Sequence, residues 1–89
     1  MSYRIETIAE ALAELKALPS YVRAQAILLI DYLAVNPRPP RAKELRGKPG
    51  IYRIWLAGHW RIAYEVDDES QCVIIRRIRR KEGIDYESL

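Results

Sequence analysis

GIYRIWLAGHWRIAYEV, residues 50–66, holds the pattern that decides the fold of this chain. Tyr52, Ile54 and Leu56 alternate with Arg53, Trp55 and Ala57, and beyond the turn Trp60, Ile62, Tyr64 and Val66 alternate with Arg61, Ala63 and Glu65. A period of two belongs to a half-buried β-strand, and a three-residue loop with a glycine, here Ala57-Gly58-His59, is a common hairpin connection. Matching the apolar faces sets the register, because a slip of one residue turns every side chain to the wrong face. Leu56 then meets Trp60, Ile54 meets Ile62 and Tyr52 meets Tyr64, with Tyr52, Trp60 and Tyr64 directed to the core. On the other face Trp55 lies across from Arg61, and Arg53 lies across from Ala63. Arg53 and Arg61 become diagonal neighbours, roughly 7–8 Å apart at the backbone. Two readings of this pair stand side by side. The guanidinium groups converge on one phosphate, or they form a surface cluster neutralised by Glu65 and worth little to stability.

Upstream of the hairpin, PRPPRAKELRGKPG (37–50) carries four prolines, two glycines and five basic side chains. Proline removes amide donors and fixes φ, so an ordered but irregular connection is expected. Before it come two helical patterns. Ser2 to Glu6 alternates as a short edge strand, and Thr7-Ile8-Ala9-Glu10 has the form of a capping box. Ile8, Leu12, Leu15 and Leu18 follow at helical spacing, Pro19-Ser20 breaks the run with Ser20 as the next cap, and Val22, Ala26, Leu29, Ile30 and Leu33 make a second stripe. Asn36-Pro37 ends it. Downstream, Asp67-Asp68-Glu69-Ser70 is a polar turn and Cys72-Val73-Ile74-Ile75 opens a third strand that runs into RRIRRK, 76–81. Within that run, Arg76, Arg77 and Arg79 either contact nucleic-acid backbone or protect a sheet edge from aggregation. The expected architecture is α+β: a two-helix antiparallel hairpin packed on one face of a small, mainly antiparallel twisted sheet. The other face is left free.

Eighty-nine residues, 49% of them hydrophobic and 30% charged, suit a single globular domain, 1–89. No apolar run is long enough to span a membrane and no secretion leader is evident, so a cytoplasmic address without a membrane partner is expected. The lone Cys72 excludes an internal disulfide, and with the single His59 it is too little for a protein-only zinc site. Net charge is +3 but uneven: −1 over residues 1–36 (three basic, four acidic), +7 over 37–81 (twelve basic, five acidic) and −3 over 82–89. A positive potential confined to one half suggests a polyanion such as nucleic acid, or merely a solvated basic face.

Three stretches resemble the RelE superfamily of bacterial and archaeal toxins: ELRGKPGIYRIWL (44–56), HWRIAYEVDDE (59–69) and RRKEGIDYE (79–87). The resemblance is carried in order by Leu45-x-Gly47, Tyr52-Arg53, Trp60-Arg61-x-x-Tyr64 and a closing basic cluster followed by a tyrosine. The two-helix start has the family's layout, so nearly the whole chain is covered.

The resemblance implies a RelE-like toxin of a type II toxin–antitoxin pair. Nuclease members cut messenger RNA in the ribosomal decoding site, without metal or cofactor, by attack of the 2′-hydroxyl on the adjacent phosphate. By similarity Arg61 falls on the central catalytic arginine and Arg53 on a basic position beside it, both holding the phosphate. Arg80 falls on the arginine of the last strand, for charge stabilisation and the leaving group. Tyr86 falls on the C-terminal tyrosine, which stacks on a base or handles a proton. Lys43, Arg46, Lys48, Arg77 and Lys81 are candidate RNA contacts. Trp55 stands where well-known ribosome-dependent members carry a lysine; it stacks on a nucleotide, lies under Arg61, or packs on an antitoxin. The expected partners are a cognate antitoxin and the 70S ribosome with its message, with DNA reached only through the antitoxin. Two alternatives remain open: the ParE branch, which shares the fold and poisons DNA gyrase without nuclease activity, and a non-catalytic member that only binds its antitoxin.

Overall fold

The computed structural model describes residues 2–89. The chain runs β1 (Arg4–Thr7), α1 (Ala9–Ala17), α2 (Ser20–Val35), β2 (Lys43–Glu44), β3 (Ile51–Leu56), β4 (Trp60–Asp67) and β5 (Cys72–Arg80). Single 3₁₀ turns follow at Lys81–Gly83 and Tyr86–Ser88. One sheet has the order β1-β5-β4-β3-β2, antiparallel throughout except that β1 runs parallel to β5. Both helices cover the same side, α1 against β5 and α2 against β3. This is the α+β arrangement expected from the sequence.

The β3–β4 hairpin has the expected register at every position, from Tyr52↔Tyr64 to Leu56↔Trp60, with Arg53↔Ala63 and Trp55↔Arg61 on the open face. Its turn sets Ala57 and Gly58 at φ of 50° and 79°. That left-handed conformation is costly for most L-residues and free for glycine. Ile54, Leu56, Ile62 and Tyr64 meet Val22, Ala26, Leu29, Ile30 and Leu33 of α2 in one core. The five apolar positions spaced along α2 are all buried. Tyr64 is fully enclosed and donates its hydroxyl to the Pro37 carbonyl at 2.8 Å, so the buried phenol is satisfied.

Local details differ from the sequence reading where tertiary pairing competes. Thr7 is claimed by β1, opposite Ile75, so no capping box forms and Ile8 caps α1 without a side-chain bond. Pro19, not Ser20, occupies the cap position of α2. On α1 the buried line passes through Ala11, with no exposed surface, while Leu12 is 41% exposed. Alanine lets the helix backbone approach the sheet closely, and that turns Leu12 outward. The proline-rich connection contains a short strand, β2, that its composition did not suggest; Lys43 pairs with Arg53 and Glu44 with Tyr52.

Arg38 ties that connection down. It donates to both Asp68 oxygens at 3.1 and 2.7 Å and to the Tyr52 hydroxyl at 2.8 Å, while Tyr3 donates to Asp68 at 2.7 Å. These bonds hold the Asp68 carboxyl below its ordinary pKa, the Arg38 donation first among them.

The arginine-rich strand owes its mixed pattern to a bulge. Ala63 pairs with Arg77 but Tyr64 with Ile75, so Arg76 is the extra residue. The bulge lets Ile75 and Ile78, three apart, both face the core. β1 flanks only the first half of β5, from Cys72 to Ile75. Along the second half Glu14 of α1 accepts the Ile78 amide at 2.9 Å. Arg76, Arg77 and Arg79 thus lie on the half of β5 that β1 leaves uncovered, where Glu14 satisfies one amide, so the edge-protection reading of these arginines stays open beside the nucleic-acid one.

Candidate functional site

On the open face, cross-strand pairing lines up two rows: Lys43, Arg53, Ala63 and Arg77 in one, and Trp55, Arg61 and Arg79 in the other. Strand alternation starts all of these side chains on this face, and Arg77 and Arg79 then reach over the β5 edge to carboxylates of α1. Glu65, on the same face, is taken by Arg76 of the bulge at 2.9 Å and leaves Arg53 and Arg61 alone. The surface-cluster reading of the pair is thus not what forms.

Arg61 is 8% exposed, the one buried charged residue among those described. Among the described residues it has no carboxylate partner. Its guanidinium carbon lies 4.2 Å from the centre of the Trp55 ring, and its Nη1 donates to the Tyr86 hydroxyl at 3.0 Å. A cation over an indole face is stabilised by about 2 kcal/mol when water is excluded, which offsets part of the cost of burial. Lys81 approaches the same ring at 5.7 Å. The Trp55 ring therefore lies under Arg61, as one of its three readings had it.

Two clefts meet at Arg53. One, of about 220 Å³, is lined by Arg41, Lys43, Arg53, Ile54, Trp55 and Arg61. The other, of about 350 Å³, is lined by Leu45, Arg46, Lys48, Arg53, Tyr86 and Glu87. The Arg61–Tyr86 hydrogen bond joins them. Lys48 donates to the carbonyls of Glu87 and Leu89 at 3.3 and 3.0 Å and so fastens the segment bearing Tyr86.

Of the expected site residues, Arg53, Arg61, Tyr86, Trp55, Lys43, Arg46, Lys48 and Lys81 come together around these clefts. Arg80 does not. It pairs with Trp60, stacks over that ring at 5.5 Å, and lines a groove with Ala17 and Leu18 on the helix side. Parity is the reason: Trp60 faces the helices, so its partner does too. Arg79 is the residue opposite Arg61, but it is bound to Glu14 and to the Gly83 carbonyl. Arg77 shares the open face but is drawn toward Glu10 of α1 at 3.9 Å. Arg41 is the cleft residue that the sequence reading missed. Its signal was the spacing Arg41-x-Lys43, legible only once 43–44 is known to be a strand.

This surface offers guanidinium, ammonium, phenol and indole groups, and the cleft beside Trp55 has no carboxylate. Among the described residues no three His, Cys, Asp or Glu side chains cluster as metal ligands do. The arrangement suits an anion held by Arg53 and Arg61, with charge stabilised by fixed donors in a partly dry site.

Comparison with known proteins agrees with the fold. Residues 5–84 match the family described as the ParE toxin of the type II toxin–antitoxin system parDE. A Methanocaldococcus jannaschii protein bearing the name toxin RelE1 is 34% identical over 93% of this chain and 94% of its own. A variant of the E. coli toxin RelE in its free state superposes with a TM-score of 0.85 at 30% identity, over 99% of this chain and 93% of that one. The toxin of the intact E. coli RelBE toxin–antitoxin complex matches with a TM-score of 0.80 at 30% identity, over 89% and 96% of the two chains. The chain belongs to the RelE/ParE family of type II toxin–antitoxin toxins.

Proposed function

We propose that this toxin is a metal-independent endoribonuclease that cuts messenger RNA in the decoding site of the 70S ribosome. The observation that carries the proposal is the convergence of Arg53, Arg61 and Tyr86 on one open face, with Arg61 buried and free of any acid. In the reaction the 2′-oxygen attacks the adjacent phosphorus and the bond to the 5′-oxygen breaks. The products are a 2′,3′-cyclic phosphate and a 5′-hydroxyl. Arg61 and Arg53 hold the phosphate and stabilise the added negative charge. Tyr86 handles a proton in this reading, which its hydrogen bond from Arg61 supports. Arg80, stacked on Trp60 at the helix side, is left out of this site.

The partner that restrains the toxin is an antitoxin whose acidic, partly disordered segment folds over the basic face. It covers Arg53 and Arg61 or displaces the segment bearing Tyr86. The family match to ParE toxins supports a second reading, inhibition of DNA gyrase without RNA cleavage. Primer extension on a defined message, with and without programmed ribosomes, separates the two. Ribosome-dependent cleavage at fixed codon positions, reduced by about 10²–10³ on Arg61→Ala with antitoxin binding retained, is expected. Intact message from a protein that still arrests growth would move the assignment to gyrase.

A further inference from the structure

The basic side chains of this sheet divide into two populations. On β5, Arg76, Arg77, Arg79 and Arg80 all have carboxylate partners: Glu65, Glu10, Glu14 and Glu82. Around β2 and β3, no ion pair forms at Arg41, Lys43, Arg46 or Arg53 among the described residues. The unneutralised charge therefore sits off-centre, toward the β2 edge. It is most concentrated in the cleft shared by Arg41, Lys43, Arg53 and Arg61, which no acid lines. A phosphodiester carries one negative charge, and Arg53 with Arg61 suffices for it. Arg41 and Lys43 are surplus to that phosphate.

The other cleft is less well supplied. Lys48 is spent on the carbonyls of Glu87 and Leu89, and the Glu87 side chain lines the wall. Lys43, directly across from Arg53 on the neighbouring strand, continues the row of positive charge outward to the sheet edge. Arg41, two residues earlier, closes the same cleft from the connection.

We propose that Arg41 and Lys43 form a second phosphate subsite, holding the phosphodiester next to the one at Arg53 and Arg61. A single RNA strand then crosses from Arg61 over β3 toward β2, rather than over β5. This rests on the ribonuclease reading of the same face and adds the path of the strand.

The test uses non-cleavable 2′-O-methyl oligonucleotides, a dinucleoside monophosphate with one phosphate and a trinucleoside diphosphate with two, titrated into the full chain. Wild type binds the longer one more tightly. Arg41→Ala combined with Lys43→Ala loses about ten-fold for the trinucleotide and less than about two-fold for the dinucleotide, while Arg53→Ala weakens both. Circular dichroism confirms the fold of each variant. Equal losses on both oligonucleotides, no loss on either, or a wild type that binds the trinucleotide no more tightly or not at all would overturn the subsite. Cleavage of ribosome-held message is scored separately. Cleavage without the two-phosphate pattern removes the subsite alone, and the pattern without cleavage removes the nuclease reading and leaves a strand-binding face.

Discussion

Arg61 concentrates what is unusual here at the scale of one residue. A buried guanidinium without an acid is costly unless other groups replace water around it. Here the Trp55 ring covers one side and the Tyr86 oxygen accepts one donor, and neither neutralises the charge. The site thus keeps a full positive charge in a poorly solvated place, where it acts most strongly on an arriving phosphate. A second residue-scale feature is strain in the turn before β5. Gln71 is exposed and held at φ 52°, and its carbonyl accepts from Arg4 at 2.8 Å. Glycine adopts that backbone at no steric cost and keeps the carbonyl in place. Gln71→Gly is therefore expected to stabilise the fold by about 0.5–1 kcal/mol in urea unfolding. An unchanged or lower midpoint would mean that the strain is not released.

Elements are joined by polar clamps more than by loop length. Glu14 links α1 to the uncovered half of β5 through the Ile78 amide and Arg79. Arg38 and Asp68 link the proline-rich connection to β3 and to the β4–β5 turn. The Asp68 carboxyl has a folded pKa below its unfolded value, so its contribution is present above the unfolded pKa and is lost as pH falls through the folded one. Stability should therefore drop below about pH 4, and the drop should be smaller in Asp68→Asn, which is already weaker at neutral pH. Thermal unfolding of both proteins between pH 3 and 7 checks this. Identical pH profiles would remove Asp68 from the clamp.

Over the whole molecule, charge and cover are on opposite sides. The helices close one side of the sheet. The open side carries the unpaired cations of β2, β3 and the preceding connection. A face of this kind attracts a polyanion from a distance and loses that reach as salt shortens the Debye length. Association with an antitoxin that uses this face is expected to slow by about ten-fold as salt rises from about 0.05 to about 0.5 M. Stopped-flow mixing of the separate proteins measures it. A rate indifferent to salt would show that the antitoxin docks elsewhere.

The hairpin of residues 50–66 and the buried stripe of α2 were legible in the sequence because strand and helix periods are local, and burial obeys them. From the hairpin register alone it followed that Arg53, Trp55 and Arg61 share a face. The facing of Arg80 was not legible, since a bulge at Arg76 and pairing with Trp60 decide it. Nor was the capture of Glu65 by Arg76, of Arg77 by Glu10 or of Arg79 by Glu14, because those partners lie 11, 67 and 65 residues away along the chain. Arg41 joined the site only when β2 formed against β3. Alternation assigns a side chain to a face, but which cations keep their charge unneutralised depends on the long-range contacts that bring carboxylates to them.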